Sequence, residues 1–152
     1  MIMDDPLALE SQVCFALAVA SRSVVAAYRE VLEPLGLTHP QYLVMLALWQ
    51  HGPMPLKDLA GHLDLEPATV SPLARRLEQT GLVTRARSAA DERVLTIALT
   101  DDGHAMRRRA LAVPTTMLQR LGMDESELVS THAVLHRILD AAHASRATGA
   151  TP

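Results

Sequence analysis

The stretch that decides the fold is Leu56–Val83, LKDLAGHLDLEPATVSPLARRLEQTGLV. Apolar residues recur at helical spacing twice, over Leu56–Leu63 and over Pro67–Gln79, with a tight "DLE" connection between them and Gly81 after the second. Two short helices joined in this way form a helix-turn-helix. On the second helix Thr69, Ser71, Pro72, Arg75 and Arg76 fall on the side opposite Val70, Leu73 and Leu77. A short polar front and a basic rear suit base contacts near the helix start and phosphate contacts behind.

Outward from this unit, LVTRAR (82–87) has a strand pattern, SAADE (88–92) is a polar turn, and RVLTIALT (93–100) is a second strand. Two strands directly after a helix-turn-helix make a wing. Toward the N-terminus, Asp5-Pro6 can open a long amphipathic helix carrying Val13, Leu17, Ala20, Val24, Ala27 and Val31, which ends near Pro34 and Gly36. Thr38 and Gln41 make a capping box for a second helix through Tyr42, Leu43, Leu46 and Trp49, broken at Gly52. Toward the C-terminus, Thr100 caps a fifth helix running to about Leu121, with Pro114 bending it. A sixth helix opens at Asp124 or Ser126, and residues 146–152 read as a disordered tail.

The expected architecture is mainly α, a winged helix-turn-helix of six helices. The DNA-reading lobe spans 39–100, and 6–36 and 101–145 supply long apolar helices. Those helices are expected to pack with each other and with a second subunit, as an intertwined homodimer. A chain of 152 residues is one such unit. Only four residues are aromatic, so the core is built from Leu, Val, Ala and Met.

The formal net charge of −3 gives no general affinity for nucleic acid, but its distribution does. All basic residues except Lys57 are arginine, and between Pro67 and Arg87 four arginines face Glu78 alone. Arginine forks match phosphates and guanine edges. A single cysteine excludes an internal disulfide, no Cys/His spacing makes a zinc finger, and no signal pattern or apolar run of 18 residues occurs. A cytoplasmic location without membrane contact is therefore expected.

The order SPLARRLEQTGLVTR, ADERV, LTIALTDDG resembles the MarR family of winged-helix regulators over nearly the whole chain. The resemblance implies a dimer that sets two recognition helices in successive major grooves of a pseudo-palindromic double-stranded operator, with each wing at the minor groove. In the wing, Asp91, Glu92 and Arg93 match the family's pattern. Arg93 would enter the minor groove, and Asp91 would hold its guanidinium. A narrow minor groove concentrates negative potential around such an arginine. Arg85 and Arg87, on the first strand, are phosphate candidates.

Within that family, QVCFAL, Ser21-Arg22, AYREVLEPLGLT and PQYLVMLALW resemble the organic hydroperoxide resistance regulators. The resemblance implies that organic hydroperoxides oxidise Cys14 and that DNA is then released, the thiol being hydrogen-bonded by tyrosines of the partner subunit. Tyr28 matches one of those tyrosines. The second falls at His39, and a third aromatic position is Ala18. Cys14 and Tyr28 are 14 residues apart, about 21 Å along one helix, so a bond between them has to cross between chains. Two helix starts are open. If the helix begins at Asp5, Cys14 gains little from the dipole; if Ser11 is the cap, Cys14 is the third helical residue. His39 in place of tyrosine either preserves the sensor, tunes its pH response or marks another ligand. With one cysteine, the expected path is a sulfenic acid followed by a mixed disulfide with a small cellular thiol.

Two other functions fit less of the chain. One is the same fold released by a small aromatic or lipophilic ligand, with Cys14 inert. The other is a thiol peroxidase, for which there is no peroxidase motif and no resolving cysteine, so an enzyme is not expected. His132, His136 and His143 share a helix face, but without a cysteine or paired carboxylate beside them no metal site is expected, and no cofactor either. The run Arg107–Arg109 spreads around its helix as a solvated face.

Overall fold

The computed structural model describes residues 5–149. It forms two compact units, one ending at Val113 and the other beginning at Pro114. The first unit contains α1 (Val13–Leu32), α2 (His39–His51), β1 (Met54–Pro55), α3 (Leu56–His62), α4 (Pro67–Gln79), β2 (Val83–Arg87), β3 (Leu95–Leu99) and α5 (Asp101–Ala110). α6 (Val113–Leu121) and α7 (Glu125–Thr148) follow. Among the described residues no helix is long and apolar enough to cross a membrane.

The core of the first unit is aliphatic. Leu32, Val44, Met45, Leu48, Leu59, Val70, Leu77, Val83 and Ile97 are fully buried, which draws α1, α2, α3, α4 and the sheet onto one centre. Tyr42 is the one aromatic residue buried with them. α3 and α4 are joined through Asp64, which takes a left-handed φ of 53°, a conformation that aspartate tolerates better than a branched residue. The sheet is antiparallel in the order β1-β3-β2, with Val83 opposite Leu99, Arg85 opposite Ile97 and Arg87 opposite Leu95. The third strand, Met54–Pro55, lies inside the segment read only as a helix breaker. Its Pro55 is tolerated because β1 is an edge strand.

Several helix ends follow the sequence signals. Thr38 Oγ1 accepts from Gln41 N while Gln41 Oε1 accepts from Thr38 N, closing the capping box of α2. Asp124 and Glu127 do the same for α7, so Asp124 rather than Ser126 is the cap. Thr100 Oγ1 accepts from Gly103 N at the start of α5.

Three expectations are corrected. The first helix does not start at Asp5-Pro6. Asp5 instead closes a turn, accepting from Leu7 N, and Gln12 Nε2 donates back to the carbonyls of Pro6 and Ala8. This holds a 3-10 turn at Leu9–Ser11 with extended Ala8 and Gln12 around it, and α1 begins only at Val13. The fifth helix is broken rather than bent. Pro114 has no N–H for the carbonyl of Ala110, so α5 stops there and α6 restarts with Pro114 in its first turn, where that N–H is not needed. The fifth of the six expected helices is therefore two. The segment from Arg146 is not a disordered tail as far as Thr148. α7 continues through Arg146 and Ala147 to Thr148, whose hydroxyl donates back to Ala144 and Ser145. Residues 150–152 lie outside the described residues.

In the second unit α7 has no buried residue, and Leu128, Val134, Leu135, Ile138 and Leu139 are all exposed.

Candidate nucleic-acid interface and thiol site

α4 buries Val70, Ala74 and Leu77 and turns Thr69, Pro72, Arg75 and Arg76 to solvent, with Ser71 half-buried. Pro72 has no N–H to donate to the carbonyl of Ala68.

The wing arginines differ in their freedom. Arg85 is half-buried and committed: its Nε and Nη2 each donate to Glu78 Oε1 at 3.2 Å, and its backbone N donates to Glu78 Oε2. This ties β2 to the end of α4, and a phosphate would have to compete with Glu78 for the guanidinium. Arg87 Nη1 donates to the carbonyl of Glu92 across the hairpin. Arg93 stands almost fully in solvent, with 91% of its side chain exposed. Its Nε donates to Asp91 Oδ1 at 3.1 Å, and its backbone N donates to the same oxygen at 3.0 Å. These bonds from the Arg93 side chain and backbone hold the Asp91 carboxyl below its ordinary range. The aspartate thus stays ionised and fixes the direction of an otherwise loose side chain.

The thiol lies at the other end of the unit's chemistry. Cys14 is exposed and is the second residue of α1, with Gln12 as cap, one residue past the later of the two starts left open by the sequence. Its residue belongs to the first turn, whose N–H groups have no partner within the helix. Tyr28 belongs to the same uninterrupted helix, about 21 Å further along, and cannot meet its own chain's Cys14.

Instead Tyr28 packs on α2. Its ring centroid is 4.7 Å from that of His39 and 5.9 Å from that of Tyr42. Burial pushes the Tyr28 phenol up, raises Tyr42 with a further contribution from Tyr28, and lowers His39. The phenols therefore keep their protons, and the imidazole is favoured in its neutral form. The sequence placed Tyr42 only among the apolar positions of the second helix. Its place three residues after His39, on one face of α2, was the available signal that it belongs to this cluster.

His39 also lines a cavity of about 680 Å³ with Arg29, Glu33, Gln41, Arg76 and Thr80. Arg76 is thus shared between the rear of the recognition helix and the wall of this cavity. Ala18 is exposed on α1 and adds no aromatic group.

The MarR family model matches residues 37–95, which covers α2 to the start of β3. The organic hydroperoxide resistance transcriptional regulator of Bacillus subtilis (strain 168) is 37% identical over 139 residues, 91% of this chain and 95% of the relative. The chain belongs to the MarR family. Among solved MarR-type structures, that of reduced AbfR bound to DNA superposes with a TM-score of 0.82 at 32% identity, covering 93% of this chain and 96% of that one. AbfR is a protein of Staphylococcus epidermidis. The structure of its disulfide form superposes with a TM-score of 0.64 at 34% identity, covering 89% and 90%. The chain is accordingly a MarR-family DNA-binding transcriptional regulator, and its relatives are regulators rather than enzymes.

Proposed function

We propose that this regulator is a homodimeric cytoplasmic repressor that senses organic hydroperoxides through Cys14 and leaves its operator when that thiol is oxidised. The observation that carries the proposal is the position of Cys14. It is exposed at the start of α1, not packed in the core, and the chain's own Tyr28 is about 21 Å away beside His39. Two antiparallel α1 helices would bring the thiol of each subunit to the Tyr28 of the other. The exposed apolar faces of α1, with Val13, Phe15 and Val25, and of α7 are surfaces for a second copy to cover. The alternative, a repressor released by a small aromatic or lipophilic ligand with Cys14 inert, has the cavity beside His39 in its favour but leaves the exposed thiol without a role.

The thiolate attacks one peroxide oxygen, forming an S–O bond as the O–O bond breaks. The alkoxide leaves as the alcohol after taking a proton, and Cys14 becomes a sulfenic acid. A small cellular thiol then condenses with it, releasing water and forming a mixed disulfide. Tyr28, kept neutral by burial, donates a hydrogen bond to the thiolate of the other subunit and retains its proton; His39, neutral at the same face, orients Tyr28 by ring contact. On DNA, Thr69, Ser71 and Pro72 face base edges, Arg75, Arg76, Arg87 and the partly committed Arg85 meet phosphates, and Arg93, held by Asp91, enters the minor groove.

The test is operator binding by wild type and Cys14→Ser, each with and without cumene hydroperoxide. Peroxide should release the wild type and leave the variant bound. Release of both to the same extent would refute a role for the thiol.

A further inference from the structure

In α7, His132 and His136 are one helical turn apart and their Nε2 atoms stand 3.0 Å from each other, with ring centroids 4.1 Å apart and planes inclined at 50°. Both rings are exposed in the single chain, at helix angles beside the Leu128, Leu135 and Leu139 stripe, not within it. Imidazole nitrogens bind a first-row metal ion at about 2.0–2.1 Å. Two of them on one ion are then about 3.3–3.4 Å apart at a tetrahedral angle and about 2.8–3.0 Å apart at a right angle. The observed separation is the right-angle value. We propose that His132 and His136 form a bidentate site for a divalent ion that takes cis nitrogens in a square or tetragonal arrangement, copper(II) or nickel(II), with water in the other positions.

The chemistry of the pair agrees. One Nε2 carries a hydrogen and the other accepts it; to chelate, that proton moves to Nδ1 of its own ring and both lone pairs become available. The last torsion of histidine is broad, which lets the rings turn toward a shared ion. Among the described residues no three His, Cys, Asp or Glu side chains gather around a common point, so the two imidazoles are the whole protein donor set. His143 shares the face but lies seven residues beyond His136, about 10 Å along the axis, and is outside the chelate. A tetrahedral zinc site with four protein ligands is excluded by the same count. The chelate links successive turns, so the ion also stabilises α7.

The test uses the full chain, reduced and free of any polyhistidine tag, titrated anaerobically with nickel(II) by calorimetry and with copper(II) by electron paramagnetic resonance. One ion per chain is expected, with two equatorial nitrogens on copper. His132→Ala and His136→Ala should each weaken binding by at least about tenfold, the lower end of what losing even an outer-shell partner costs, and reduce the nitrogens to one. His143→Ala should leave both readouts unchanged. Far-UV circular dichroism verifies that the variants keep α7. Unchanged affinity in both His132→Ala and His136→Ala, or equal loss in His143→Ala, would overturn the site.

Discussion

Gly103→Ala tests the joint between the wing and α5. Four hydrogen bonds meet there. Thr100 Oγ1 donates to the carbonyl of Gly81, Thr100 N donates to that of Leu82, Gly103 N donates to Thr100 Oγ1, and Trp49 Nε1 donates to the carbonyl of Gly103 at 3.0 Å. A Cβ on residue 103 would stand 2.1 Å from the Leu82 carbonyl oxygen and 3.1 Å from Leu99 Cδ2, where ordinary contact begins at 3.4 Å. The Leu99 methyl can turn away. The Leu82 oxygen cannot, because it is backbone and already accepts from Thr100. Alanine gains at most about 1 kcal/mol of helix propensity over glycine. Overpacking costs about 1–3 kcal/mol, and each hydrogen bond lost as the joint opens costs about 1 kcal/mol more. With two of the four bonds lost, the expected net loss is about 2–4 kcal/mol. Urea unfolding at one fixed protein concentration, followed by the fluorescence of Trp49, reads it directly, since Trp49 is the only tryptophan. The midpoint should fall with little change in slope. A variant as stable as wild type would refute the close approach at Leu82.

Arg93→Ala should weaken operator binding and lower the slope of log affinity against log salt by about 1, while stability stays within about 0.5 kcal/mol of wild type; anisotropy titrations across salt concentrations check it, and an unchanged slope would take Arg93 out of the interface. Burial lowers the proton affinity of His39, so as pH falls below about 6.5 the unfolded chain takes up a proton first. The stability this contributes is complete above that pH and is lost as pH falls through the folded-state value. The urea midpoint of wild type should accordingly fall more steeply between pH 7.5 and 5 than that of His39→Gln, and parallel curves would show that His39 is not shielded.

Most of the DNA-reading lobe was legible because local signals and tertiary packing agree there. The capping box of α2 follows from side chains that bond within three residues, Thr38 and Gln41, while α4 follows from its apolar spacing with Pro67 at its start and Gly81 after its end. The start of α1 was legible only as one of two alternatives, Ser11 as cap lying one residue from the observed Gln12. Asp5-Pro6 is a good helix opening, but the amide of Gln12, reaching back six residues to Pro6, favours a turn instead. Pro114 carried the right warning with the wrong consequence: a proline bends a helix when tertiary packing holds both halves in line, and here the chain restarts with Pro114 in a first turn. At the candidate site, the separation of Cys14 and Tyr28 could be read from helix rise alone. The commitment of Arg85 to Glu78, the cluster of Tyr28, His39 and Tyr42, and the cavity shared with Arg76 could not, because each joins residues on different elements.

The central claim is that the sensor is built across two chains, and mixed dimers test it most directly. In one dimer Cys14→Ser is placed on one subunit and Tyr28→Phe on the other; in the second dimer both changes sit on the same subunit. The rate of sulfenic acid formation with cumene hydroperoxide is measured for each. A thiol that meets its partner's Tyr28 predicts one wild-type-rate cysteine in the first dimer and none in the second. The reverse result, with the fast cysteine in the dimer carrying both changes on one chain, would contradict the account.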